Sequence, residues 1–243
     1  MEKQERRYGN QVVLLEGAAL GADLRYTPGG LAVLTFTVGA QTRGEEGPVY
    51  IPVRVLGKRA EALAEALEAP VGVFVVGTVE TYRPEGGGER HSVLAERVRV
   101  FALAEEDLTP PDGKGQRRMK GGLSLFAGVG NLARPVEVSR GGSTPFARSV
   151  LAVSRTEDQA DFVPFVAFGA LAEALEGLDK GTPLYLRGRL VHDSWTTQSG
   201  ERRFGLRVEA EAVRRRRKEG REKPLPKLAE EADFPDFPED LPF

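Results

Sequence analysis

The side chains best suited to chemistry gather late in the chain. Trp195, the single tryptophan, stands in Asp193-Ser-Trp-Thr-Thr-Gln-Ser-Gly-Glu-Arg-Arg-Phe204, a polar, turn-rich stretch where a core ring is out of place. Arg187, Arg189, Arg202, Arg203 and Arg207 surround it in sequence. Aromatic rings stack on nucleic-acid bases for about 1–3 kcal/mol each, and cationic side chains track the phosphates, so this combination suits a single strand held without regard to its sequence. The other use of Trp195 is to cap the end of a barrel. Upstream, Phe162, Phe165 and Phe168 cannot all share one face of a strand, because side chains alternate with period 2. Phe168, just before the helix-start glycine Gly169, is expected in the core, which leaves Phe162 as a stacking candidate. Phe204 suits stacking and packing equally.

Such residues need elements to hold them, and an internal repeat supplies these. Val55-Leu-Gly-Lys-Arg-Ala-Glu-Ala-Leu63 returns as Ala167-Phe-Gly-Ala-Leu-Ala-Glu-Ala-Leu175, and Leu14-Leu-Glu-Gly17, Val75-Val-Gly77 and Gly88-Glu-Arg90 return in the same order at Leu125, Leu186 and Gly200. Two domains of similar size follow, at 8–103 and 122–215. The first reads as strands over 12–20, 31–38 and 49–56, a helix over 58–68, then strands over 71–82 and 90–101. The second reads as strands over 123–132, 146–154 and 161–168, a helix over 170–178, then strands over 183–195 and 202–213. Three strands, one short helix and two strands is the order of an OB-fold, so the class is all-β with two tandem β-barrels. Residues 104–121, with Pro110-Pro111 and several glycines, read as a linker without regular structure. Residues 216–243 are poor in apolar side chains and are expected to form a disordered acidic tail. The first copy offers Tyr50 and Tyr82 where the second has aromatic candidates, with Pro84 near the place of Trp195, so weaker strand binding is expected there. Tyr26 fits a simple turn residue as well as a binding one.

Composition excludes more than it selects. With 243 residues, 40% hydrophobic and 29% charged, the chain has the make-up of soluble globular material. It has no apolar run of the roughly 20 residues a membrane helix needs, and Met1-Glu-Lys-Gln-Glu-Arg-Arg7 lacks the apolar h-region expected of a signal peptide. A cytoplasmic, nucleoid-associated protein without membrane contact is expected. Zero cysteines exclude disulfides and thiolate metal sites. The net charge of −2 hides a polarity: Glu230, Glu231, Asp233, Asp236, Glu239 and Asp240 face no base in the last 14 residues, which leaves 34 bases against 30 acids in the rest. Gly128-Val-Gly-Asn-Leu-Ala133 fits a dinucleotide fingerprint in letters only, since Arg134-Pro135 follows where a helix should start. His91 and His192 are too few for a metal centre or a triad. No metal, no cofactor and no enzymatic activity are expected.

These residues resemble the bacterial single-stranded DNA-binding proteins, in the form with two OB domains per chain. Trp195-Thr-Thr-Gln-Ser-Gly200 is similar to that family's Trp-Thr-x-Gln-Ser-Gly hairpin. Asn10-Gln-Val-Val-Leu-Leu-Glu-Gly17, Leu24-Arg-Tyr-Thr-Pro-Gly-Gly-Leu-Ala32 and Val53-Arg-Val-Leu-Gly-Lys58 resemble its opening strand, its Arg-Tyr turn and the strand that leads to its helix. The resemblance implies base stacking at Tyr50 and Phe162, seven residues before each helix-start glycine, and at Trp195. It adds Arg54 to the candidate DNA contacts of the first copy. The hairpin tryptophan is missing from the first copy, and Val138-Ser-Arg-Gly-Gly142 replaces the Arg-Tyr turn in the second. The ending Asp233-Phe-Pro-Asp-Phe-Pro-Glu-Asp-Leu-Pro-Phe243 resembles the family's acidic tip, implying capture of replication and repair proteins through Asp236, Glu239, Asp240, Leu241, Pro242 and Phe243. A terminal ring with flanking acids suits a basic groove with an apolar pocket. Arg214-Arg-Arg-Arg-Lys218 fits phosphate binding, docking of the tail or a solvated strand end. The implied function is binding and protection of single-stranded DNA in replication, recombination and repair, by a homodimer presenting four OB domains. An RNA-binding or primosome-type OB protein and an OB interaction scaffold are the alternatives.

Overall fold

In the computed structural model, residues 10–42, 47–67, 70–82, 90–156, 159–196 and 202–215 are described; within the strands, the side chains of 193–196 and 202–204 are not part of that set. The first copy contains β1 (Gln11–Tyr26), β2 (Ala32–Gln41), β3 (Val49–Leu56), α1 (Lys58–Ala64), β4 (Val71–Tyr82) and β5 (Arg90–Ala102). After the short strand β6 (Met119–Lys120) come β7 (Leu123–Leu132), β8 (Glu137–Ser139), β9 (Phe146–Ser154), β10 (Ala160–Phe168), α2 (Ala170–Leu175), β11 (Pro183–Thr196) and β12 (Arg202–Arg215). Among the described residues no helix is long and apolar enough to cross a membrane.

Strict alternation builds each barrel. In β3, Val49, Ile51, Val53 and Val55 are buried, while Tyr50, Pro52 and Arg54 point outward. β1 pairs with β2 and β4, β2 with β3, β3 in parallel with β5, and β5 with β4, which closes a five-stranded ring. The second copy closes the same ring through β7, β9, β10, β12 and β11. Both are OB-folds, each with its helix between the third and fourth strands. Gly57 and Gly169 open the helices at φ 69° and 57°, a left-handed conformation that favours glycine. Ala60 and Ala172 then plug the barrel ends. The helices are shorter than their Ala/Leu/Glu composition suggests: α1 tightens into a 3-10 turn at Glu65–Leu67 that buries Leu67, and α2 stops at Leu175, with Gly177 left-handed at φ 73°.

Matching bulges mark the fourth and fifth strands. The ladder slips between Val76 and Gly77 and again between Arg187 and Gly188. A Cβ on Gly77 or Gly188 would overlap the carbonyl oxygen of Leu94 or Glu209, so the close backbone approach requires glycine. Gly77 and its partner Ala95 are 18 positions apart, whereas Gly188 and Ala210 are 22 apart. The second hairpin is therefore longer. Its additional pairs set Ser194 opposite Phe204, Trp195 opposite Arg203 and Thr196 opposite Arg202.

The barrels join through an antiparallel ladder of β1 with β7, from Gln11 opposite Gly128 to Glu16 opposite Leu123. Leu14 and Leu125, equivalent in the two copies, lie directly opposite, so a local two-fold relates the barrels. At one end of this seam the buried Gln11 amide exchanges hydrogen bonds with the Val79 backbone, donating from Nε2 at 3.0 Å and accepting from the Val79 N–H at 3.1 Å. It also donates to Asp161 at 3.4 Å. Asp161, 3% exposed, further accepts from the Thr81 N–H at 3.2 Å and pairs with Arg155. One carboxylate thus binds groups from both copies.

Residues 104–121, expected to lack regular structure, hold a 3-10 turn at Glu105–Asp107 and a hairpin in which Leu108 faces Met119. β6 runs parallel to β2, with Ala40 opposite Met119. The cause is tertiary: the edge of β2 offers backbone groups that a neighbouring segment satisfies. Asp161→Ala should cost about 3 kcal/mol by leaving the partly buried Arg155, the Thr81 N–H and the Gln11 amide without their common acceptor. Calorimetry should show a lower melting temperature and partial separation of the two barrels' transitions.

Candidate nucleic-acid interface

On the first barrel, β3 turns Tyr50 and Arg54 outward, and the β4–β5 hairpin brings Glu80, Tyr82 and Ser92 alongside. Arg54 donates to Glu80 Oε1 at 2.7 Å, and its guanidinium lies 4.0 Å from the centre of the Tyr82 ring. Ser92 Oγ donates to the same Glu80 oxygen at 3.0 Å. Glu80 is only 6% exposed, and its partners offset the cost of burying its charge. Two sequence candidates, Arg54 and Tyr82, are therefore brought together, but around a carboxylate that absorbs the cation. Period-2 alternation along β4 gives no sign of the Glu80 burial, since it places this carboxylate on the face opposite Val73, Val75 and Val79.

Tyr50 is engaged elsewhere. Its hydroxyl donates to Asp112 Oδ2 at 2.7 Å and accepts from Arg118 at 2.6 Å, with that guanidinium 5.6 Å from the ring centre. Burial pushes the Tyr50 hydroxyl above its ordinary pKa, and its bond to the Asp112 carboxylate acts in the same direction. That hydroxyl, then the backbone N–H groups of Gln116 and Lys114, hold Asp112 below the usual carboxylate range. Asp112 and Arg118 lie in the stretch read as a linker. The run Pro110-Pro111-Asp112-Gly113 signals a turn, but nothing in it names the surface on which the turn rests.

On the second barrel, Phe162 is 43% exposed, as its alternation predicts. Phe168 is 48% exposed and packs its ring beside Phe146 at 6.5 Å, so its expected place in the core is wrong. Phe165 takes that place at 1% exposed. The inward position after Phe165 is Ala167, which is fully buried and leaves room for α2; Phe168 follows on the outer face. Arg189 and Arg207 both meet Glu209, at 2.7 and 3.3 Å, and Arg189 reaches across to Thr42 Oγ1 of the first copy at 3.4 Å. Arg187, half exposed, lies 3.8 Å from Glu211. Trp195, Arg202, Arg203 and Phe204 occupy the paired end of the long hairpin, and their side chains lie outside the described residues. Tyr26, 58% exposed, donates to Glu61 at 3.2 Å.

The local two-fold brings candidates from different copies into one region. The Thr81 hydroxyl, one residue before Tyr82, meets the backbone of Phe162 at 3.4–3.5 Å, so the first hairpin leans on β10. Conversely, β11 packs against β3. Among the described residues no group of three His, Asp or Glu side chains could hold a metal ion. Residues 216–243, which include Asp236, Glu239, Asp240, Leu241, Pro242 and Phe243, lie outside the described residues.

The single-strand binding protein family matches over residues 9–101 and again over 125–216. A single-stranded DNA-binding protein of Thermus thermophilus is 36% identical, covering 96% of this chain and 98% of its own. One from Deinococcus radiodurans is 33% identical over 84% of this chain and 74% of its own. The crystal structure of the wild-type single-stranded DNA binding protein from Thermus aquaticus superposes with a TM-score of 0.66 at 30% identity, covering 87% and 95% of the two chains.

Because the folded-state pKa of Asp112 is depressed, its contribution is present above the unfolded value of about 3.9 and is lost as pH falls through the lowered one. Tyr50→Phe removes the leading cause, so carboxyl titration by NMR should show the Asp112 pKa rise in that variant.

Proposed function

This chain belongs to the single-strand binding protein family, and on that premise we propose that its two joined barrels bind single-stranded DNA without sequence preference and protect it during replication, recombination and repair. The observation that carries the reading is the exposure of Phe162. The chain buries Phe126 and Phe165 almost completely, yet leaves this ring 43% exposed on the barrel face where the family resemblance expects base stacking. Burying an aromatic ring is strongly favourable, so a large ring left in solvent fits a surface that is covered by a ligand. The role is non-enzymatic: bases stack on Phe162, Trp195 and Phe204, and the phosphates follow Arg187, Arg189, Arg202, Arg203 and Arg207. Tyr50, Tyr82 and Arg54 extend the path over the first barrel more weakly, since Glu80 and Asp112 already answer their polar groups.

The working unit is a homodimer with four barrels. Supporting this, Val12, Leu14, Val76 and Leu125 share the outer face of the ladder that joins the copies, Val12 being 37% exposed. Such an apolar sheet face suits a second copy of itself. Recruitment of replication and repair proteins belongs to the tip, Asp236 to Phe243, where Phe243 anchors and Glu239 and Asp240 steer. The setting is the cytoplasm, on the nucleoid.

Trp195→Ala should weaken binding of labelled oligo-dT roughly ten- to hundredfold by fluorescence anisotropy, in line with the loss of a stacking ring. Unchanged affinity would return Trp195 to capping the barrel. Poly-dT should outcompete RNA of equal length at matched salt; the reverse order points to an RNA-binding role. Deleting residues 233–243 should leave oligo-dT affinity within about twofold while abolishing co-purification of replication and repair proteins.

A further inference from the structure

The two barrels are related by a local two-fold, yet their equivalent stacking positions differ. Phe162 is open and has no polar atom, whereas its counterpart Tyr50 is partly buried and carries a hydroxyl bonded to the connector between the barrels. We propose that the Tyr50 hydroxyl and the Arg118 guanidinium form a phosphodiester subsite of the first barrel, held closed by the carboxylate of Asp112 until a DNA strand displaces it. The inference rests on the reading of the chain as a single-strand binder and assigns a site that the family resemblance did not supply.

Three observations support it. The first is chemical. A hydroxyl donor beside a guanidinium is a site for an anionic oxygen, and Asp112 Oδ2 now fills it, 2.7 Å from the hydroxyl and 3.9 Å from the guanidinium. A phosphodiester oxygen carries the same single charge and accepts the same bonds.

The second is mechanical. Asp112 stands at the tip of a self-contained turn: its N–H donates to Gln116 O, and its Oδ1 accepts from the N–H groups of Lys114 and Gln116 at 2.9 Å. These bonds move with the tip. Arg118 stands at the root, its N–H donating to Thr109 Oγ1 and its carbonyl accepting from the Thr109 N–H. The next residue, Met119, pairs with β2. Lifting the tip therefore removes the carboxylate and leaves the cation in place.

The third is energetic. The Asp112–Arg118 pair is long, at 3.9 Å, so the carboxylate holds the site chiefly through its bond to the Tyr50 hydroxyl, and a phosphodiester oxygen seated between hydroxyl and guanidinium would engage both groups in its place. The first barrel would then engage DNA only when enough strand is present to displace Asp112, while the second, with Phe162 open, binds first.

The test uses the full-length chain. Asp112→Asn removes the charge and keeps an oxygen for the turn's backbone donors; Asp112→Ser is a second variant that also caps such a turn. Labelled oligo-dT is titrated at several salt concentrations. Both variants should bind several-fold tighter at low salt, and the slope of log affinity against log salt should steepen by about one phosphate contact. Arg118→Gln should weaken binding more in the Asp112→Asn background than alone. Unchanged affinity and slope in both Asp112 variants, or an Arg118→Gln effect identical in the two backgrounds, would overturn the subsite. That failure is distinct from failure of the broader reading, in which the wild-type protein itself would not bind oligo-dT.

Discussion

Six residues of β1 and six of β7 lie opposite one another, and the strand edge that each barrel would otherwise expose is consumed in the seam. Because Leu14 lies opposite its own counterpart Leu125, the seam carries a two-fold. The orientation of one barrel then dictates that of the other. Asp161 secures this arrangement from the side. A carboxylate so thoroughly buried is tolerated only with Arg155, Thr81 and Gln11 around it, and two of these three belong to the other copy. Sliding the ladder by one residue would take Gln11 and Thr81 away from that carboxylate and leave it with Arg155 alone.

The seam decides what each barrel presents. It lays the first hairpin against β10 and packs β11 beside β3, so the outer surfaces of the two barrels are continuous across the junction. Under the proposed function, stacking rings come from both halves of the chain, and a strand long enough to span both would meet them without a new contact having to form between the domains. Sharing one ligand between linked sites in this way raises overall affinity beyond that of either site.

Near-equal backbones carry unequal surfaces. Bulges at Gly77 and Gly188 occur at the same place in the two rings, but the second hairpin continues further to hold Trp195 opposite Arg203. The first barrel instead spends its cation on Glu80 and its tyrosine hydroxyl on Asp112. Charge neutralisation within a barrel face lowers the electrostatic part of nucleic-acid binding, which normally dominates affinity. Duplication thus supplied two similar frames, and local electrostatics gave them separate work.

The amino-acid sequence alone determined the repeat, the strand–helix order of each copy and the inward set in strands such as β3, because period-2 alternation and glycine punctuation are local signals. It also marked Phe162 as outward-facing. It misplaced Phe168 because the alternation that turned this ring to the surface was set aside for a packing argument, and room for α2 is made instead by the small Ala167. The carboxylates at Arg54 and Tyr50 could not be foreseen, since Glu80 is 26 positions from Arg54 and Asp112 is 62 from Tyr50. The role of Asp161 was equally hidden, as its partners Thr81 and Gln11 lie 80 and 150 positions away. Composition reports how many charges a chain carries, but only the closed sheet and its seam decide which of them meet and cancel, because an ion pair depends on distance in space and not on distance along the chain.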